Sequence, residues 1–273
     1  MILSSSFYSL IDSVATLVAG EREVIRTYFE DPLYGHYLSL RNNDTDKLWL
    51  IRQCSKEIWS SPLGEMRGLY VGPMEDLLKD FPRIDIDIPR ANIANRLEVL
   101  HEEFTHYCAF AEAYDACLEE NENILSPSVL WNVLWDGQEV LRNRRAGMVK
   151  DHGVIGERAC YFSEGGWCIL FSEGMKLKGN GGIDDKIAHA CSLVYEDEWK
   201  HMCSGIIGLD DLKMGDSDWK LLTNLSIELF SLRIHMRNSQ FSFPLDEKRI
   251  HDILNGDIEP VKFDFKKIVK TSN

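Results

Sequence analysis

Two short stretches of this sequence carry metal-binding residue types at a spacing that a helix can use: His101-Glu-Glu-Phe-Thr-His106 and Glu196-Asp-Glu-Trp-Lys-His201. Residues three apart share a helical face, so Glu103 with His106, and Glu198 with His201, each aim a carboxylate and an imidazole at one spot. Two helices that each bring Glu-x-x-His, joined by inward carboxylates on other helices, are a known recipe for a di-iron or di-manganese site. Without a metal, each pair would set two ionisable groups beside an apolar core for no gain. Glu102, Glu196 and Asp197 read as solvated neighbours of these pairs. His152, His189 and His235 read as ordinary histidines, and His189, nine residues before Glu198, falls on the opposite helical face.

A third carboxylate follows from depth. Two antiparallel helices joined by a short loop bring residues equidistant from the loop to one level, and the glycines of Lys178-Gly-Asn-Gly-Gly182 supply such a loop. Glu198 lies 16 residues beyond Gly182, and a similar count back from Lys178 ends within one turn of Glu164. Glu164 interrupts an apolar stretch and precedes Gly165 and Gly166, which would let backbone or a metal approach closely. For a substrate, Trp131, Trp135, Tyr161, Phe162 and Trp167 could line an aromatic pocket. Arg233 and Arg237, one turn apart, could clamp a carboxylate.

These residues need helices to carry them, and the apolar periodicity predicts helices. Phe7, Leu10, Ile11, Val14, Leu17 and Val18 begin one over about residues 5–30, and a second spans about 45–60. Residues 63–90, broken by Gly64, Gly68, Gly72, Pro73, Pro82 and Pro89, read as a connector with short helical pieces. Pro89 opens a long helix to about Cys117, and Ser126-Pro127 caps another over about 127–142. Further helices are expected over about 154–177, which would carry Glu164, then 183–206 and 217–240. After Pro244 comes a less regular tail with a short helical piece and an alternating Val261, Phe263, Phe265 pattern. The expected architecture is one all-α domain over residues 1–273, a bundle of about seven helices.

Composition narrows the partners. A formal net charge of −14 repels phosphate backbones and anionic lipid headgroups, so neither nucleic acid nor a membrane is an expected partner. The first twenty residues lack a basic leader and no apolar run approaches the ~18 residues of a membrane span, so a cytosolic protein is expected. The 7 cysteines form no Cys-x-x-Cys pair and read as buried thiols.

A family resemblance joins these pieces. Glu30-Asp-Pro-Leu-Tyr34, Glu103-x-x-His106, Ala159 to Trp167 with Glu164 before Gly165, and Glu198-x-x-His201 resemble the ligand segments of the haem-oxygenase-like di-iron oxidases and oxygenases, over roughly residues 30–205. Terminal-alkene-forming fatty-acid decarboxylases belong to that family, and the thiaminase II and pyrroloquinoline-quinone-synthase folds are related to it. The resemblance implies a haem-oxygenase-like fold, up to two Fe(II) per chain, and O2 as co-substrate. It also implies oxidation of a small carboxylate-bearing substrate, an amino acid rather than a fatty acid on balance. Glu103, His106, Glu164, Glu198 and His201 take five of the six ligand positions, Arg233, Trp167 and Tyr161 are the candidate substrate contacts, and a homodimer is compatible. Two positions depart from the pattern: Glu198 stands where Asp is usual, and Val194 where the third motif begins with His, so the second iron is expected to be held more weakly. The alternatives are a metal-free thiaminase-like or quinone-synthase-like enzyme on the same fold, and a non-catalytic helical interaction protein.

Overall fold

The computed structural model describes residues 4–29, 41–59, 68–130, 133, 135–207 and 213–262. Those residues are helical, and their only β feature is an isolated bridge between Ile84 and Ile88. The helices are α1 (Ser5–Phe29), α2 (Asn43–Trp59), α3 (Gly68–Asp80), α4 (Arg90–Asp115), α5 (Pro127–Leu130), α6 (Asp136–Phe162), α7 (Ile169–Gly174), α8 (Gly182–Ile207), α9 (Asp216–Gln240) and α10 (Glu247–Leu254). No helix among the described residues is long and apolar enough to cross a membrane.

The apolar stripe of α1, from Phe7 through Leu10, Val14, Val18 and Ile25, is buried throughout. It faces α9, whose other flank covers α6; α4 lies between α2 and α8, and α7 wedges between α1 and α8. One buried acid ties α1 to α2: Asp46 accepts from the Tyr28 hydroxyl at 2.7 Å and from Trp49 Nε1 at 2.9 Å, and pairs with Arg41 at 3.1 Å. Arg41 also reaches Asp184 at the start of α8, at 2.9 Å. The helices that carry the two Glu-x-x-His motifs are thus neighbours, and α2 closes the far side of α4. Five of the expected thiols, Cys54, Cys117, Cys160, Cys168 and Cys191, are buried.

The chain departs from the sequence reading in three places. Residues 63–90 were expected to be a connector, but α3 is a 13-residue helix that runs through Pro73. It forgoes one backbone hydrogen bond there rather than ending. The helix expected over 127–142 is only the four-residue α5, and a separate α6 begins at Asp136 after Trp135 in an extended conformation.

The third departure shapes the site. The helix expected over 154–177 stops at Phe162, because the backbone turns left-handed over four successive residues, with φ of 60°, 58°, 55° and 60° from Gly165 to Cys168. Two glycines make the start of this turn cheap, but Trp167 and Cys168 each carry a left-handed strain of roughly 1–2 kcal/mol. Burial of the indole offsets it: Trp167 packs edge-on to Phe162 and Phe230, and its Nε1 donates to the Phe162 carbonyl at 2.9 Å. α6 itself is broken at Gly153 (φ 52°, ψ −127°). Arg145 and Cys160 would lie about 22 Å apart along a straight helix. Here each bonds the other's carbonyl, Arg145 Nη2 at 3.4 Å and Cys160 Sγ at 3.7 Å, so the two limbs of α6 run side by side. Gly156 makes the reversal possible, since a Cβ there would overlap the Met148 carbonyl.

Candidate metal centre

Glu103 and His106 of α4, Glu198 of α8 and Glu164 beyond α6 converge, and a residue from α2 joins them. Glu57, Glu103 and His106 each offer one ligand atom, and those atoms lie within 4.8 Å of one another. Glu57, Glu103, Glu164 and Glu198 all line one cavity of about 50 Å3. Glu164 opens a single 3-10 turn after α6 rather than lying on an α-helix, because the left-handed run begins at the next residue. That turn also seats Glu198: a Cβ on Gly165 would stand 2.7 Å from Glu198 Oε2.

Like charges crowd this largely buried site and shift its carboxyls. Burial, then the carboxylates of Glu57 and Glu198, hold the Glu103 carboxyl well above its usual range against the opposing charge of Lys56. Burial and Glu164 likewise raise Glu198, with Lys56 and His201 opposing. Two polar atoms here are buried without a hydrogen-bond partner: Nδ1 of His106, a residue 0% exposed, and Oε2 of Glu198, a residue 6% exposed. Such orphans cost on the order of 1–3 kcal/mol each unless something absent from a protein-only description satisfies them. A divalent cation would satisfy such atoms, and carboxylates with imidazole are a donor set suited to iron or manganese.

The residues next to the motif glutamates are not solvated bystanders, as the sequence suggested. Asp197 Oδ2 lies 3.2 Å from His106 Nε2, and Glu102 Oε2 lies 3.4 Å from His201 Nε2. Each helix therefore supplies the carboxylate that backs the other helix's histidine. A carboxylate on Nε2 leaves Nδ1 of His106 as the electron-pair donor, and Nδ1 faces Glu103 Oε2 at 4.0 Å. Burial pushes the Asp197 carboxyl up, yet hydrogen bonds from Lys200 and His106 outweigh it, so its pKa lies below the ordinary value.

His201 is partly exposed and stands beside the cavity rather than on its wall; Glu198 feels its charge. Val194, aligned with a missing histidine, is 0% exposed within the apolar core and does not line the cavity. The ligand type that the sequence reading missed is Glu57. Its signal is faint: on α2 the buried stripe Leu50, Cys54, Ile58 is interleaved with Gln53 and Glu57, also buried, and Gln53 Nε2 donates to Glu57 Oε1. Glu75, an acid that precedes Glu103 in the chain, is exposed on α3, while Glu65 and the Glu30–Tyr34 segment lie outside the described residues.

The expected substrate contacts fare differently. Arg233 does line the cavity, but Glu21 of α1 engages it bidentately, at 2.9 and 2.8 Å. Arg237 is turned to Glu21 at 3.1 Å and to Gln53 at 3.3 Å, so the two arginines clamp an internal carboxylate in place of a substrate's. Trp167, Phe162 and Trp135 are core residues, Tyr161 is 39% exposed, and none lines the cavity; Trp131 lies outside the described residues. Comparison with protein-family models, with curated proteins and with solved structures gives no match.

Proposed function

We infer that this chain is a non-haem di-iron oxidoreductase that uses O2 to oxidise a small carboxylate-bearing substrate. The observation that carries the reading is the convergence of four carboxylates on one cavity beside a wholly buried histidine whose Nδ1 has no partner. Without cations, that arrangement is a stack of desolvation penalties and like-charge repulsion. Glu57, Glu103 and His106 bring their donor atoms within 4.8 Å of one another and form the tighter set, while Glu164 and Glu198 share the cavity, with His201 beside it, and form a more open one. Two Fe(II) ions held by them would supply the electrons and the open coordination positions that O2 chemistry requires.

The protein's share is positional. Asp197 and Glu102 fix the tautomers of the two histidines, Gln53 orients Glu57, and the turn from Gly165 to Cys168 brings Glu164 against Glu198. The ion of the α8 set is the weaker one in this reading, because His201 is partly exposed and Val194 contributes only packing. The finer fold reading, a haem-oxygenase-like arrangement, goes with the resemblance of the ligand segments and is supported here by the all-α order of the elements.

The test is anaerobic titration with Fe(II), followed by an O2 pulse watched in the visible region. Retention of up to two ions per chain and a transient absorption band are expected. No retained iron and no band would return the chain to the metal-free or non-catalytic alternatives.

A further inference from the structure

The cavity carries more positive charge than its metal-free state suggests. Lys56, Arg142, Arg145 and Arg233 line it together with the four carboxylates. Arg233 is already matched by Glu21, and Arg142 has Glu139 at 3.8 Å. Lys56 and Arg145 are matched differently. Lys56 shares the cavity wall with Glu57, Glu103 and Glu198, and Arg145 Nη2 stands 3.9 Å from Glu164 Oε1, so the nearest acids to both cations are prospective metal ligands. Arg145 Nε is in addition buried without a hydrogen-bond partner. Two divalent ions would cancel the four carboxylates, and Lys56 and Arg145 would then face the cavity without a counter-charge. A partly buried cation left so is unfavourable, and a small anion relieves it.

Resting on the di-iron reading, we propose that Lys56 and Arg145 form the subsite for the substrate's carboxylate, with Arg145 as the hydrogen-bonding fork and Lys56 as the point charge. A guanidinium suits a planar two-oxygen anion, and an ammonium suits a carboxylate without dictating its orientation. The two come from different elements, Lys56 from α2 beside Glu57 and Arg145 from the first limb of α6 beside Cys160 of the second. A bound carboxylate would therefore be anchored next to both sets of donors. The subsite is distinct from the Arg233 and Arg237 pair, whose clamp is closed on Glu21.

The experiment uses Co(II) as a spectroscopic stand-in for Fe(II). Acetate, and acetamide as its neutral isostere, are titrated into the Co(II)-loaded protein and into Arg145→Gln, Arg145→Lys and Lys56→Met, with the visible Co(II) bands as readout. Acetate should shift the bands of the parent and acetamide should not. Arg145→Gln should keep the parent's Co(II) stoichiometry while its acetate affinity falls about 10-fold or more. Arg145→Lys should recover part of that loss, which a misfolded variant could not do. Unchanged acetate affinity in Arg145→Gln and Lys56→Met at full Co(II) loading would overturn the subsite and leave the metal centre standing. A parent that binds no Co(II) would remove both.

Discussion

Asp197 on α8 faces Nε2 of His106 on α4 at 3.2 Å, and the sequence neighbours of these residues repeat the contact in reverse, Glu102 on α4 against His201 on α8. Both carboxylates sit one position before the glutamate of a Glu-x-x-His motif. The tandem of an outer carboxylate, a ligand carboxylate and a ligand imidazole is thus built twice. Asp197→Asn should weaken metal binding by about 10- to 100-fold with little loss of helical content, since partners of ligating histidines act on orientation and basicity. Competition titration with a chromophoric chelator gives the affinity, and parental affinity in Asp197→Asn would remove Asp197 from this role.

Glu57 separates the structural reading from the sequence reading. Glu57→Ala should lose at least one metal equivalent, while Glu75→Ala, exposed on α3, should bind as the parent does. Metal analysis after gel filtration compares the two, and the reverse pattern would remove α2 from the site.

The crowded carboxylates predict a trade between stability and loading. Burial and its neighbours raise the Glu198 carboxyl, so ionised Glu198 works against folding in the absence of metal. Each pKa unit of such a rise is worth about 1.4 kcal/mol at neutral pH. Glu198→Gln should therefore raise the Tm of the metal-free protein by about 2–4 °C for each kcal/mol relieved, while reducing metal affinity. A chelator should lower the parent's Tm by more than the variant's, and thermal melts with and without chelator decide it.

Gly165→Ala combines two penalties. The residue sits at φ +60°, where an L side chain costs about 1 kcal/mol, and its Cβ would press on Glu198 Oε2. Loss of stability together with weaker metal binding is expected. Gly179, at φ +96° with open space around it, is the control, and its alanine variant should lose stability only.

Acid sensitivity should centre on Glu21. Burial pushes its carboxyl up, but Arg233 and Arg237 overcome this and hold it below the ordinary value. Its contribution is complete above the unfolded-state pKa, near 4.3, and is lost as pH falls through the lower folded-state value. Glu21→Gln should cost about 3–5 kcal/mol at pH 7, because it strands two buried arginines. The gap between parent and variant in urea denaturation should narrow as pH drops below about 4. A gap that stayed constant over that range would refute the assignment.

Much of the frame is legible in the sequence, because the long amphipathic helices α1, α2, α4, α8 and α9 announce themselves by apolar spacing and by Gly and Pro at their ends. Spacing also brings forward Glu103, His106, Glu198 and His201, and loop counting reaches Glu164. Glu57 hides because a lone glutamate on an amphipathic helix has no motif, and only its place beside the stripe of Leu50, Cys54 and Ile58 marks it. Glu102 and Asp197 were misread because adjacency in sequence turns a side chain by about 100°, here toward the facing helix instead of water. The left-handed turn was invisible for another reason: Gly165 and Gly166 permit it, but Trp167 and Cys168 adopt it only because the core around Phe162 and Phe230 makes it worthwhile.

The crossed pairing of α4 and α8 also makes the centre a gauge of helix register. Sliding one helix past the other by a single turn, about 5.4 Å, would part Asp197 from His106 and Glu102 from His201 in one movement. Neither pair can be kept by adjusting one side. Any loosening that lets α8 shift along α4 would accordingly show as failing metal retention well before the helices themselves melt.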